Sequence, residues 1–121
     1  MPKTILIVDD FESSRNILGR TLEGAGYIVI KGDDGDNALD LLKATSVDLI
    51  ITDLNMPNMD GISLIKNIRA ISSMQYTPVI LLTTNSKNEK KELAKEAGAT
   101  ACIEKPFQVE ALLANVKRII R

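Results

Sequence analysis

Asp9 and Asp10 directly follow the apolar run Ile5-Leu6-Ile7-Val8, and Asp53 follows Leu49-Ile50-Ile51-Thr52. Thr83 follows Val79-Ile80-Leu81-Leu82, and Lys105 stands just past Ala101-Cys102-Ile103-Glu104. If those runs are parallel strands of one sheet, three carboxylates, a hydroxyl and an ammonium converge on its carboxyl edge. Open α/β sheets bind ligands at that edge. Two like charges about 4 Å apart repel by roughly 4 kcal/mol at an effective dielectric near 20, so three gathered carboxylates call for a cation. An all-oxygen donor set suits Mg²⁺, with Mn²⁺ the other candidate; zinc would want His or Cys, and the chain has no histidine. A carboxylate held beside such an ion can attack phosphorus and become an acyl phosphate, which makes Asp53 the candidate nucleophile. Lys105 and Thr83 could then meet the oxygens of the arriving group. Plainer readings stand beside these. Asp9-Asp10 could be a solvated turn with Asp10 capping the next helix, and Thr83 could bond only its local backbone.

Five apolar runs alternate with helix-period stretches: Ile5–Val8, Tyr27–Ile30, Leu49–Thr52, Val79–Leu82 and Ala101–Ile103. Continuous rather than alternating hydrophobicity fits strands covered on both faces, the signature of a parallel sheet. Between them, Ser14, Ile17, Leu18, Thr21, Leu22 and Ala25 share a helical face, as do Ala38, Leu41, Leu42 and Thr45. Gly61, Leu64, Ile65 and Ile68 form a third face, and Val109, Leu112, Leu113, Val116, Ile119 and Ile120 a last one. Gly26 and Gly98 fall where helices should end in a left-handed residue. The expected fold is α/β, a single-domain (βα)₅ doubly wound parallel sheet over residues 1–121, with strand order 2-1-3-4-5. In that order strand 2 is an edge, and its end at Ile30-Lys31 is the one without a candidate reactive group.

With 121 residues, 45% apolar content and a net charge of −1, the chain suits one globular core and offers no basic field for nucleic acid. Four scattered aromatics make no base-stacking platform, and one cysteine excludes an internal disulfide and fits a reducing cytoplasm. No apolar segment reaches membrane-spanning length, and the first run is too short for a signal peptide. Asp53-Leu54-Asn55 is similar to the start of haloacid-dehalogenase-type phosphatases, but Asn55 stands where their general acid would be. Asp33-Asp34-Gly35-Asp36 lacks the alternating ligand spacing of a calcium loop, and neither GxxxxGK[ST] nor GxGxxG occurs. Lys87–Glu96 reads as a solvated helix face. Lys105-Pro106 favours extended geometry at Lys105, with either peptide isomer open.

ILIVDD (Ile5–Asp10), DLNMPNMDG (Asp53–Gly61), LLTT (Leu81–Thr84) and EKPF (Glu104–Phe107), in that order, make the chain resemble the receiver domain of bacterial two-component response regulators. The segments DDF, NMPNMDG and NIRA look most like the CheY-like, chemotaxis-type branch. The resemblance covers the whole chain and implies a switch that accepts a phosphoryl group on Asp53 from a sensor histidine kinase or a His phosphotransfer domain. It implies Asp10 and Asp53 as metal ligands, Asp9 as a ligand through water, and the Asn55 backbone carbonyl as a further donor. Thr83 and Lys105 match the family threonine and lysine, and Asn55 and Asn85 match positions that tune phosphoryl lifetime. It implies no enzyme activity beyond the chain's own phosphorylation and dephosphorylation.

Output would go to a downstream protein, unidentified by sequence, on the face formed by helix 4, strand 5 and helix 5, without nucleic acid or membrane. The sequence stops after helix 5, so output is expected by non-covalent contact. One departure stands out. Cys102 occupies the switch position where the family usually carries an aromatic ring, which weakens the expected threonine–aromatic coupling. The alternative is a constitutive protein-binding module that keeps the fold with reduced switching.

Overall fold

A computed structural model describes residues 2–84 and 88–121, so Asn85 lies outside the described residues. The elements run β1 (Thr4–Val8), α1 (Glu12–Gly24), β2 (Ile28–Gly32), α2 (Gly35–Ala44), β3 (Leu49–Asp53), α3 (Gly61–Arg69), β4 (Val79–Thr83), α4 (Asn88–Ala97), β5 (Ala101–Glu104) and α5 (Val109–Ile119). All strand pairs are parallel, in the order β2-β1-β3-β4-β5. That is the architecture the alternating apolar runs predict. A short 3₁₀ turn at Ser72–Met74 completes the α3–β4 connection.

The three central strands are apolar along both faces because helices cover both. Leu6, Val8, Ile50 and Leu81 pack with α2, α3 and α4 through Ala38, Leu42, Leu64, Ile65, Ile68, Ala94 and Ala97. Ile5, Ile7, Ile51 and Ile80 pack with α1 and α5 through Leu18, Leu22, Leu112 and Val116. Burying each such Leu, Ile or Val side chain contributes about 1.5–3 kcal/mol, so the sheet's position is set by the core on its two sides.

Two expectations shift. The second strand starts at Ile28 rather than Tyr27 and extends to Gly32, with Ile28 left 49% exposed because β2 is an edge and one side of it meets solvent. On α1, Leu18 and Leu22 are buried as expected, but Ile17 is 57% exposed and Ala25 is outside. Gly19 is buried on the helix's inner face, near Ile7 Cδ1 and the flexible end of Lys31 of β2. Ile17 then turns out into a groove shared with Phe107 and Val109. Gly26 and Gly98 take the positive φ expected of them, 98° and 113°.

A feature outside the apolar pattern fastens α3 to the α4–β5 connection. Arg69 donates from Nε and Nη2 to the Gly98 carbonyl at 3.2 and 2.8 Å. Its Nη1 donates to the carbonyls of Met74 at 2.9 Å and Thr77 at 2.6 Å. Partial burial pulls the guanidinium below its usual pKa, and it meets carbonyls rather than a carboxylate in these bonds. Removing the fork takes a donor from three partly buried carbonyls, of which Met74 keeps the Thr77 N–H at 3.3 Å; each carbonyl left short costs about 1 kcal/mol or more. Arg69→Met should therefore lower unfolding free energy by about 2–4 kcal/mol in urea titrations. A change below about 0.5 kcal/mol would show that water replaces the arginine without loss.

Candidate functional site

The strand ends do converge. Asp53 is the last residue of β3 and Thr83 the last of β4, one position deeper in the sheet than the apolar runs alone would place them. Alternation along the strands puts Asp9, Asp53 and Lys105 in the rows of Ile7, Ile51 and Ile103, on the α1–α5 side. Thr83 and Cys102 fall in the rows of Leu81, on the α3–α4 side. Carboxylate oxygens of Asp9, Asp10 and Asp53 lie within 4.8 Å of one another. Lys105 Nζ bridges the group, 3.3 Å from Asp9 Oδ2 and 3.4 Å from Asp53 Oδ1. The Lys105-Pro106 bond is cis.

Each acid is held differently. Asp9 is 2% exposed and thoroughly bonded. Its N–H donates to the Gly32 carbonyl, its Oδ1 accepts from the Phe11 N–H at 3.0 Å, and its Oδ2 accepts from Lys105. Asp53 is 8% exposed and accepts from its neighbour's N–H, Leu54, at 3.1 Å. Burial pushes the Asp53 carboxyl above its ordinary range; the Lys105 ammonium opposes that shift and the Asp9 carboxylate adds to it.

Asp10 differs again. Its Oδ1 is buried and lacks a hydrogen-bond partner, the only such side-chain atom among the described residues. It does not cap α1 either, since the Phe11 cap position carries no side-chain bond to the helix. A buried carboxylate oxygen without a partner costs about 1–3 kcal/mol or more, so the turn reading of Asp10 fails on the atom it needed. An oxygen-preferring dication fits: two other carboxylates stand beside the orphan, and Asn55 lines the same small groove as Asp10, Met56, Pro57 and Asp60.

The β3–α3 connection fixes the position of Asp53. The Asp60 side chain caps α3 by accepting from the Ser63 N–H at 2.8 Å, and the Gly61 N–H donates to the Leu54 carbonyl at 2.8 Å. Asp34 caps α2 in the same way through Asn37, which explains the acidic stretch that resembled a calcium loop. Thr83 is 2% exposed, and its carbonyl accepts from the Lys105 N–H at 2.9 Å. Cys102 is half-buried against the α3–α4 core, and burial pushes its thiol pKa up.

A sequence profile of the response regulator receiver domain matches residues 5–117. The chain belongs to the response regulator receiver family. This receiver is 40% identical over 116 residues to the chemotaxis protein CheY-3 of Vibrio cholerae serotype O1, covering 95% of this chain and 89% of that one. It is 35% identical to the chemotaxis protein CheY of Pseudomonas aeruginosa, covering 95% and 94%. Among solved structures it is similar to the V. cholerae chemotaxis protein CheY4 crystallised at low pH, with a TM-score of 0.95, 39% identity and coverage of 98% and 99%. The fold expected from the strand pattern and the family expected from the four motifs are both borne out.

Sequence reasoning named the acids, Thr83 and Lys105, and the receiver's structure brings Asp9, Asp10, Asp53 and Lys105 into contact range. It did not single out Gly61 as part of the site, where its importance lies in what it leaves empty. Nor did it name Arg15, whose Nη1 donates to the Asp9 carbonyl at 2.7 Å. A glycine directly after Asp60, at the start of a helix-period stretch, is the one sequence signal that could have flagged close backbone approach. No helix of the described residues is long and apolar enough to cross a membrane.

Proposed function

We propose that this receiver is a Mg²⁺-dependent phosphoaccepting switch, with Asp53 as the acceptor. The observation that carries the reading is the orphaned Asp10 oxygen beside a buried, lysine-bridged Asp53 at the end of the central strand. Asp10 would hold the ion directly, Asp9 through water because both of its oxygens are already engaged, and Asn55 through its backbone carbonyl. The bound ion would neutralise charge on the transferred oxygens. An Asp53 carboxylate oxygen bonds to phosphorus as the donor's bond to phosphorus breaks, and the leaving imidazole or acetate takes that electron pair. Lys105, within 3.4 Å of Asp53 Oδ1, exchanges part of its carboxylate interaction for a phosphoryl oxygen. Thr83 donates its hydroxyl to another.

These 121 residues contain no histidine, so the phosphoryl group must come from outside them: from a sensor histidine kinase, a His phosphotransfer domain or a small acyl phosphate. Its likeness to two chemotaxis proteins supports a place in a chemotaxis relay. Output would pass to a protein on the α4–β5–α5 face. Beyond its own phosphorylation and dephosphorylation the chain is not an enzyme, because exposed Asn55 offers no acid for turnover. Incubation with acetyl phosphate and Mg²⁺ should add one phosphoryl group by intact mass, and EDTA should prevent it. An adduct formed equally well in EDTA would remove the metal from the reading.

A second reading rests on Cys102. A half-buried thiol has no ring to rotate, so the fold could be kept as a binding module with little switching. Beryllofluoride with Mg²⁺ separates the two. Amide shifts reaching α4 and β5 support the switch, and shifts confined to the site support the module.

A further inference from the structure

The side chain of Arg15 reaches back from the first turns of α1 to the end of β1. Its Nη1 donates to the Asp9 backbone carbonyl at 2.7 Å. That carbonyl and the Asp10 N–H belong to one planar peptide unit, so holding the oxygen fixes the plane from which Asp10 projects. The rest of Asp9 is fastened too: its N–H goes to Gly32, its Oδ1 to the Phe11 N–H and its Oδ2 to Lys105. Asp10 is the reverse, with a buried oxygen that nothing among the described residues satisfies. α1 also begins without a side-chain cap from Phe11, so this turn is held by the Asp9 Oδ1 bond to the Phe11 N–H and by Arg15. Arg15 supplies the tie between helix and strand that a cap would otherwise provide.

We infer that Arg15 is a positioning residue for the cation site, holding the β1–α1 turn so that the unsatisfied Asp10 oxygen stays aimed at the ion. The inference rests on the cation-binding reading of the acid cluster and goes beyond it by assigning a role to a cation. That role carries a sign of its own. Arg15 bears positive charge beside a site for a dication, so by charge alone its removal should tighten Mg²⁺ binding. By positioning, its removal should loosen binding, because groups that orient metal ligands typically set affinity by about tenfold or more. The two effects oppose each other, and the direction of the change decides between them.

The test is a Mg²⁺ titration of the whole chain followed by amide shifts at Asp10 and Asn55, in wild type and Arg15→Met. Met keeps the stem and the helix preference while losing the charge and the donors. The expected result is a Kd raised roughly tenfold in Arg15→Met, with amide shifts on β4 and α5 and the metal-free Tm little changed. An unchanged or lowered Kd overturns the inference while leaving the cation site in place. If wild type itself shows no saturable Mg²⁺ binding, the reading of the acid cluster falls and this inference with it. Should Arg15→Met fail to fold, Arg15→Gln, polar but too short to reach the carbonyl, is judged by the same Kd criterion.

Discussion

Asp53→Asn should abolish phosphoryl uptake and, at neutral pH without Mg²⁺, make the protein more stable. The first effect follows from chemistry: the amide is no nucleophile toward phosphorus, so the mass increase with acetyl phosphate should vanish. The second follows from electrostatics. Burial is the largest influence on Asp53 and raises its pKa in the folded state above the ordinary 3.8, so the fold binds that proton more tightly than the unfolded chain does. Stability from this group is therefore fully present below about pH 3.8 and is lost as pH rises through the higher folded pKa. Above that window the ionised carboxylate is a net burden, lessened but not cancelled by Lys105. Asparagine removes the burden together with the proton linkage. Urea titrations from about pH 3.5 to 7, without Mg²⁺, should show wild-type stability falling relative to the variant across the window. An equal or lower stability of Asp53→Asn at pH 7 would mean that Lys105 outweighs desolvation. Saturating Mg²⁺ should narrow the gap, by about 1.4 kcal/mol for each tenfold excess over Kd if the amide variant binds the ion far more weakly.

Gly61→Ala should damage both the fold and the site, and it should do so through backbone rather than side-chain contact. A Cβ at Gly61 would lie 2.3 Å from the Asp53 carbonyl oxygen, 2.7 Å from Leu81 Cδ1 and 3.0 Å from Leu54 Cα. Leu81 can change rotamer, but the Asp53 carbonyl sits at the end of the central strand. There the next residue's N–H is bonded to Leu82 and its carbonyl receives the Gly61 N–H. The start of α3 and the end of β3 must move apart, breaking that short loop's hydrogen bonds and shifting the acceptor. A loss of about 3 kcal/mol or more is expected, with phosphoryl uptake slowed at least about tenfold in protein that remains folded. Gly24→Ala is the internal control: nothing lies within 4 Å of its Cβ and it closes α1, so the change should be neutral or stabilise by up to about 1 kcal/mol. Normal uptake in Gly61→Ala would show that α3 can retreat without moving Asp53.

Strand ends are legible in the sequence because hydrophobicity stops where covered backbone stops, and Asp9, Asp53, Thr83 and Lys105 each mark such a stop. The strand count and the chain reversals at Gly26 and Gly98 have equally local causes. What local pattern does not carry is contact between distant residues. Arg69 reads as an ordinary charge near a helix end, and its partner Gly98 lies 29 positions away. Gly61 reads as a weak helix former because its value lies in the space it leaves beside Asp53. Ile17 departs from expectation for a related reason. Periodicity gives a helix's apolar stripe but not the roll of the helix on the sheet, which is fixed by packing with residues distant in sequence.

The distribution of residues over the sheet's two sides has one more consequence. Asp9, Asp53 and Lys105 belong to the α1–α5 side, and Thr83 and Cys102 to the α3–α4 side. The groove by Ile17, Phe107 and Val109 reaches Asp9 and Lys105 on the first of these sides. A signal born at Asp53 thus has to cross the plane of the sheet to reach Thr83 and Cys102. The sheet itself is then the conductor, and its tightly packed central strands are the path between event and report.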